Sequence, residues 1–262
     1  MTMRLEEIRR LVNEKKKELE ALRKVRGWKM ANSIVPPERV LEEADRWEGI
    51  ELRYAWTPND AEKTFFARLQ LPAEAAGIPL AGTAATLELV LIIGTEVFVN
   101  GRRVYAADYW ADTQAVPIPL AESLVPGQTF DIVIHCRRGD GFGMFGHSEV
   151  GMEPLDRRIF QLDTFAEELR FAAFLLENGD AEDAGGGWER ALSLFRPELL
   201  ERNRWDELDA MMDDMRRALS WLTPAAKKYR VHLVGHAHID MNWLWPMKET
   251  VDLVRRDFKA ML

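Results

Sequence analysis

Along residues 3–28, apolar side chains recur at Leu5, Ile8, Val12, Leu19 and Leu22, with charges elsewhere. Spacings of three, four and seven are those of an amphipathic helix. Lys15 stands where the stripe calls for another apolar residue. Two arrangements fit this pattern: a helix docked on its own chain, or a short coiled-coil arm joining subunits. The run NSIVPP (32–37) ends it, because a Pro-Pro pair cannot continue a helix. A short helix is predicted over 38–48.

The period then shortens. Short β-type runs fall at 50–56, 63–71, 85–93, 96–106, 115–120, 129–138 and 158–163, with clear alternation at Phe130, Ile132 and Ile134. Asn100-Gly101 is a strong hairpin-turn signal. Evenly spaced strands without helices between them predict an antiparallel β-sandwich or jelly roll. From 164 the helical period returns, over 164–178, 188–195 and 197–222, with a flexible break at AEDAGGG (181–187). Pro197 suits a first helical position, and Thr223-Pro224 closes the last helix.

The end of the chain differs in kind. YRVHLVGHAHIDMNWLWP (229–246) opens on an apolar run without alternation, as in a strand buried on both faces of a parallel sheet. An amphipathic stretch, 248–262, follows. One strand and one helix cannot bury themselves, so this pair is expected to be the first βα unit of a truncated α/β barrel. The predicted fold is multi-domain and mixed α and β. It comprises an N-terminal helical arm (1–32), a β-sandwich (33–162), a helical linker segment (163–224) and the start of a catalytic domain (225–262). The chain is expected to be an N-terminal fragment of something longer. Residues 231–239, lacking barrel partners, should disorder or pair with another copy.

His236, His238 and Asp240 lie at i, i+2 and i+4, so on a strand all three face one side. Two imidazoles and a carboxylate suit a divalent ion such as zinc, and a barrel strand's carboxyl end is where active sites sit. A buried hydrogen-bonded network would use the same pattern. Gly235 lets the backbone bend here. Trp243, Trp245 and Pro246 form an aromatic patch beside the trio; indole faces stack on pyranose rings, while Trp245 fits core packing better.

Composition narrows the classes. The 43 acidic residues exceed 35 basic ones, for a formal net charge of −8, which argues against nucleic-acid binding. No apolar run reaches the roughly 18–20 residues of a membrane span, and no secretory signal is visible. One cysteine, Cys136, cannot form an internal disulfide, which fits a reducing, cytoplasmic setting. Lesser candidates remain. Asp140, His147 and Glu149 in a Gly-rich stretch (137–149) could bind a cation, although a sandwich loop explains them better; His135 flanks the same stretch. Tyr109, Trp110 and Asp112 could form a sugar-binding edge. His232 and Cys136 read as core, and the acidic run 206–214 as a solvated helix face.

The stretch GHAHIDMNWLWPMKET (235–250) resembles the opening of the catalytic domain in family 38 glycoside hydrolases, the α-mannosidases, most of all their cytosolic and bacterial branch. The layout of helical arm, sandwich and helices before it is similar to that branch as well. The resemblance implies zinc ligation by His238 and Asp240. It places Trp243 against the sugar, with Asp240 also touching a sugar hydroxyl. His236 matches a position that is not a ligand there and falls behind the first ring of contacts. Met241-Asn242 stand where relatives carry Thr-Ala, which affects subsite detail. The implied activity is retaining hydrolysis of terminal α-mannosidic bonds in mannose-containing oligosaccharides. The implied nucleophile and acid/base lie beyond Leu262, so this piece alone is expected to be inactive. A homo-oligomer is expected.

Two other classes stay open. A metal-dependent amidohydrolase would use both His236 and His238 as ligands. A non-catalytic role would make the sandwich a carbohydrate-binding or oligomerisation module.

Overall fold

The computed structural model describes residues 3–56, 62–92, 94–107, 117–137, 143–183, 185–232 and 247–261. Residues Met1–Ser220 and Trp221–Leu262 form two compact units.

The first unit opens with helix α1 (Met3–Arg23), then strand β1 (Lys29–Ala31), helix α2 (Pro37–Glu43) and strands β2 (Glu48–Gly49), β3 (Tyr54–Trp56) and β4 (Lys63–Gln70). There follow β5 (Glu74–Ala75), β6 (Ile78–Pro79), β7 (Ala85–Ile92), β8 (Thr95–Val99), β9 (Arg102–Ala107), β10 (Ile118–Ala121), β11 (Thr129–Cys136) and β12 (Gly143–Met152). Helices α3 (Glu153–Glu177), α4 (Gly187–Ser193), α5 (Pro197–Glu201) and α6 (Trp205–Ala218) complete it. The second unit holds α7 (Thr223–Ala226) and α8 (Met247–Met261).

The strands build two main antiparallel sheets, in the orders β2-β1-β4-β11-β8-β9 and β10-β7-β12-β3, and a small β5-β6 hairpin. Alternation explains the core. Phe130, Ile132 and Ile134 of β11, Phe65 and Ala67 of β4, and Leu87, Leu89 and Leu91 of β7 are all buried. Aromatic rings join the two sheets. Phe65 lies 5.1 Å from Phe145 of β12 and 5.5 Å from Trp56 of β3, and Trp28 sits edge-on to Phe145 at 4.9 Å.

Both outer faces carry helical cover. On the six-stranded sheet, Val40 and Ala44 pack with Val35 against Phe66 and Val133. The NSIVPP crossing is pinned there. Val35 N–H donates to Thr64 Oγ1 at 2.9 Å, and the Val35 carbonyl accepts from His135 Nε2 at 2.8 Å. Pro37 opens α2, where its missing N–H costs nothing. On the other side, the chain leaving α1 runs along β12, with Val25 N–H donating to Ser148 O at 3.1 Å.

Of the two arrangements the sequence leaves open for α1, the structure shows the docked one: Leu5, Ile8, Val12 and Leu19 are buried within this single chain. Three other readings are corrected. Lys15 belongs to the same buried stripe at 7% exposure, its ammonium donating to Glu18 at 2.7 Å and Asn203 Oδ1 at 3.0 Å. Segment 158–163, predicted as a strand, lies in the second and third turns of α3; Leu155, Leu162 and Leu169 recur every seven residues as one buried face. Part of the Gly-rich stretch predicted as a loop is strand β12.

Two hairpins turn tightly. Asn100 and Gly101 both have positive φ, 50° and 77°, as the sequence predicts for a two-residue β8–β9 turn. Ala76 and Gly77 repeat the device between β5 and β6, where the Ala76 carbonyl accepts from Trp205 Nε1 at 2.8 Å. No helix among the described residues is long and apolar enough to cross a membrane.

The close sheet contact at Gly143 is a test of this packing. A Cβ there would stand 2.0 Å from Trp56 Cε2. Gly143→Ala should therefore destabilise by about 1–3 kcal/mol, read as a lowered Tm, whereas Gly49→Ala, whose nearest neighbour is 4.0 Å away, should change little. At Lys15, Ala should cost about 2–3 kcal/mol by leaving a cavity under α1 and Asn203 Oδ1 without its donor, while Met, which fills the cavity but also lacks the donor, should cost less in the same denaturation assay.

Candidate functional site

His236, His238, Asp240, Trp243 and Trp245 lie outside the described residues, as do Tyr109, Trp110, Asp112 and Asp140. The flanks of the 236–243 motif are described. Residues 229–232 carry no strand pairing and are exposed, with Val231 at 83% and His232 also open to solvent. The expected buried strand and core role of His232 therefore do not hold at its first residues; 233–239 lie outside the described range. After the motif comes α8, as the pattern of 248–262 predicts. Along α8, Met247, Val251 and Phe258 are exposed and Thr250 is buried.

The lesser candidates resolve physically. His147 and Glu149 lie on β12, 3.5 Å apart between Nε2 and Oε2. Glu149 is shared with Arg23, also at 3.5 Å. No group of three or more His, Cys, Asp and Glu side chains able to hold a metal occurs among the described residues. His135 is core: its ring sits 4.8 Å from Phe98, and burial pushes its pKa down. Cys136 is buried, and desolvation pushes its thiol up to about 12, so it is inert as a nucleophile. The acidic run on α6 is a solvated face tied into ion pairs: Asp209 with Arg158, Asp213 with Arg216 and Asp214 with Arg217.

One polar cluster has no signal in the sequence. Four elements deliver it: Arg23 from α1, Glu88 from β7, Glu149 from β12 and Asp156 from α3. Arg23 Nη2 donates to Glu88 Oε2 at 2.9 Å, and its Nε donates to the Val150 carbonyl at 3.2 Å. Asp156 Oδ1 lies 3.0 Å from Arg23 Nε, but that single N–H is spent on Val150. Asp156 Oδ1 is thus left without a hydrogen bond, while Oδ2 accepts from Met152 N–H at 2.9 Å. Desolvation raises the Asp156 pKa, overriding the downward pull of Arg23.

Three cavities open around the first turns of α3. One of about 650 Å³ lies between the β5–β6 hairpin, α3 and the start of α6, lined by Arg157, Arg158, Asn203, Trp205 and Asp209 among others. The Arg158 guanidinium covers the Trp205 ring at 4.9 Å. The other two, of about 470 and 460 Å³, share Glu88, Asp156 and Phe160 as walls.

Residues 228–262 match the sequence model of the glycosyl hydrolases family 38 N-terminal domain. That span contains the 236–243 motif. Among solved structures, the chain is similar to a glycosyl hydrolase family 2 member from Bacteroides cellulosilyticus, at 16% identity and TM-score 0.39 over 48% of this chain and 20% of that one. A β-glycosidase from Bacteroides vulgatus matches at 11% identity and TM-score 0.39, over 49% and 20%. A β-glucuronidase from Ruminococcus gnavus in complex with D-glucuronic acid matches at 14% and 0.33, over 44% and 21%. The match thus spans about a fifth of the length of these structures. No curated protein matches the chain significantly.

Burial of His135 gives a pH test. Its folded pKa lies below the ordinary 6.5, so its stabilising contribution is present above that pH and is lost as pH falls through the lowered folded value. Urea unfolding from pH 7.5 to 5 should show a fall in stability that His135→Gln, which keeps a donor for Val35, flattens. Glu96, held below its ordinary 4.5 by Arg137 and Arg103, adds its own loss only in stronger acid.

Proposed function

We propose that this chain supplies the N-terminal part of a retaining, zinc-dependent α-mannosidase that hydrolyses terminal α-mannosidic bonds of oligosaccharides. The supporting observation is that the family 38 match, 228–262, falls on the stretch that carries His238, Asp240 and Trp243. In this reading His238 and Asp240 donate to zinc, Trp243 packs on the sugar, and His236 supports the metal pair without binding it. Asp240 also accepts from a sugar hydroxyl.

The donor chemistry fits zinc: an imidazole nitrogen and a carboxylate oxygen are ligands that catalytic zinc sites use. When bound, zinc would polarise and orient sugar hydroxyls. Two donors are fewer than the three protein ligands of a catalytic zinc, and the described residues hold no rival cluster. The 262-residue chain alone is therefore proposed to bind zinc weakly and to turn over no mannoside. A reducing, cytoplasmic setting is proposed with it, consistent with one buried, unpaired cysteine. Assembly into a homo-oligomer is part of the proposal, but not through the apolar stripe of α1, which is already buried.

Zinc titration by calorimetry separates this reading from an amidohydrolase. His238→Ala and Asp240→Ala should each abolish the weak binding, and His236→Ala should leave it within about twofold. Loss with His236→Ala, together with retention in Asp240→Ala, would overturn the assignment. Hydrolysis of an aryl α-mannoside by the purified chain would contradict the proposed inactivity.

A further inference from the structure

Independently of the mannosidase reading, three carboxylates share one cation where α1, the four-stranded sheet and α3 meet. Arg23 Nη2 meets Glu88 at 2.9 Å, and its Nη1 meets Glu149 at 3.5 Å. Asp156 is left facing Nε, whose single N–H goes to the Val150 carbonyl. The neighbouring cations are taken. On α1, Lys16 pairs with Asp163, with Glu20 beside it, and on α3 Arg157 pairs with Glu153. On β12, His147 lies 3.5 Å from Glu149. Lys24, just past α1, is exposed, where solvent and salt screen its charge.

Asp156 and Glu88 also border one small space. Measured from the position a Cβ would take on Gly151, Thr86 Oγ1 lies at 2.6 Å, Glu88 Oε1 at 3.0 Å and Asp156 Oδ2 at 3.7 Å. Two carboxylates and a hydroxyl thus stand over a glycine, on the side of Glu88 turned from Arg23. Like charges that share a half-buried site resist being ionised together. Arg23 and the Met152 N–H favour the charged form of Asp156, but burial, Glu88 and Glu149 oppose it, and burial weighs most.

We propose that Asp156 is a proton switch: in mild acid it takes up a proton from solvent, shares it with Glu88, and the junction of α1, sheet and α3 tightens as its excess negative charge falls.

The sign follows from linkage. A carboxyl whose folded pKa lies above its ordinary 3.8 holds its proton more firmly in the folded chain than in the unfolded one. The stabilisation is present at low pH and is lost as pH rises through the folded value. His135 works in the opposite direction over the same range. Comparing Asp156→Asn with the wild type cancels the His135 contribution, because asparagine keeps an acceptor for Met152 N–H and is uncharged throughout.

The test is thermal unfolding of the full chain at pH 5 and pH 7.5. The Tm of Asp156→Asn relative to wild type should be higher at pH 7.5 than at pH 5, by about 1–3 °C, and the gap should shrink in a Glu88→Gln background. Carbon NMR of labelled aspartate carboxyls gives a second readout on the unaltered chain. The signal missing from Asp156→Asn should titrate above 3.8 and move down in Glu88→Gln. The proposal is overturned if the Tm difference is the same at both pH values or larger at pH 5, or if the Asp156 carboxyl titrates at or below 3.8.

Discussion

Arg23 is the residue on which the arrangement of the first unit turns. It ends α1, where a helix C-terminus favours a cation. From there it reaches Glu88, Glu149 and Asp156, three carboxylates from β7, β12 and α3, and the Val150 carbonyl. One guanidinium at 16% exposure thus stands against three acids that would otherwise repel each other on a sheet face. Removing one partner from such a half-buried set leaves charge uncompensated, so the set holds its four elements in one register.

The apolar side of α1 does the complementary work. Its stripe is buried in the same chain, so the helix is a structural layer and not an arm offered to another subunit. Lys15 belongs to that layer because its ammonium finds Glu18 and Asn203, while its stem packs as an apolar residue would. Asn203 itself sits at positive φ in the turn before α6.

The regular parts of the fold were legible in the sequence. Alternation marked β11, and Asn100-Gly101 marked the β8–β9 hairpin, because asparagine followed by glycine adopts two successive positive φ values at low cost. The misses have physical causes. Arg158–Asp163 shows no period long enough to separate strand from helix, and the deciding contacts at Leu155 and Leu169 lie outside that window. Strand β12 hid behind glycines that read as loop, yet Gly143 is there to admit the Trp56 ring. The Arg23 cluster joins residues 65 to 133 positions apart in sequence, and no local pattern announces such a meeting. The proposed metal motif is the opposite case: spacing and resemblance single it out in the sequence, while its residues lie outside those the structure describes.

The functional assignment depends on His238 and Asp240 gripping one ion. Zinc K-edge X-ray absorption on the zinc-loaded chain reads that directly, because imidazole, oxygen and sulfur donors scatter differently. The expected first shell contains only nitrogen and oxygen, with a single imidazole signature that vanishes in His238→Ala. A shell with two imidazoles, or one unchanged by His238→Ala, would contradict the assignment.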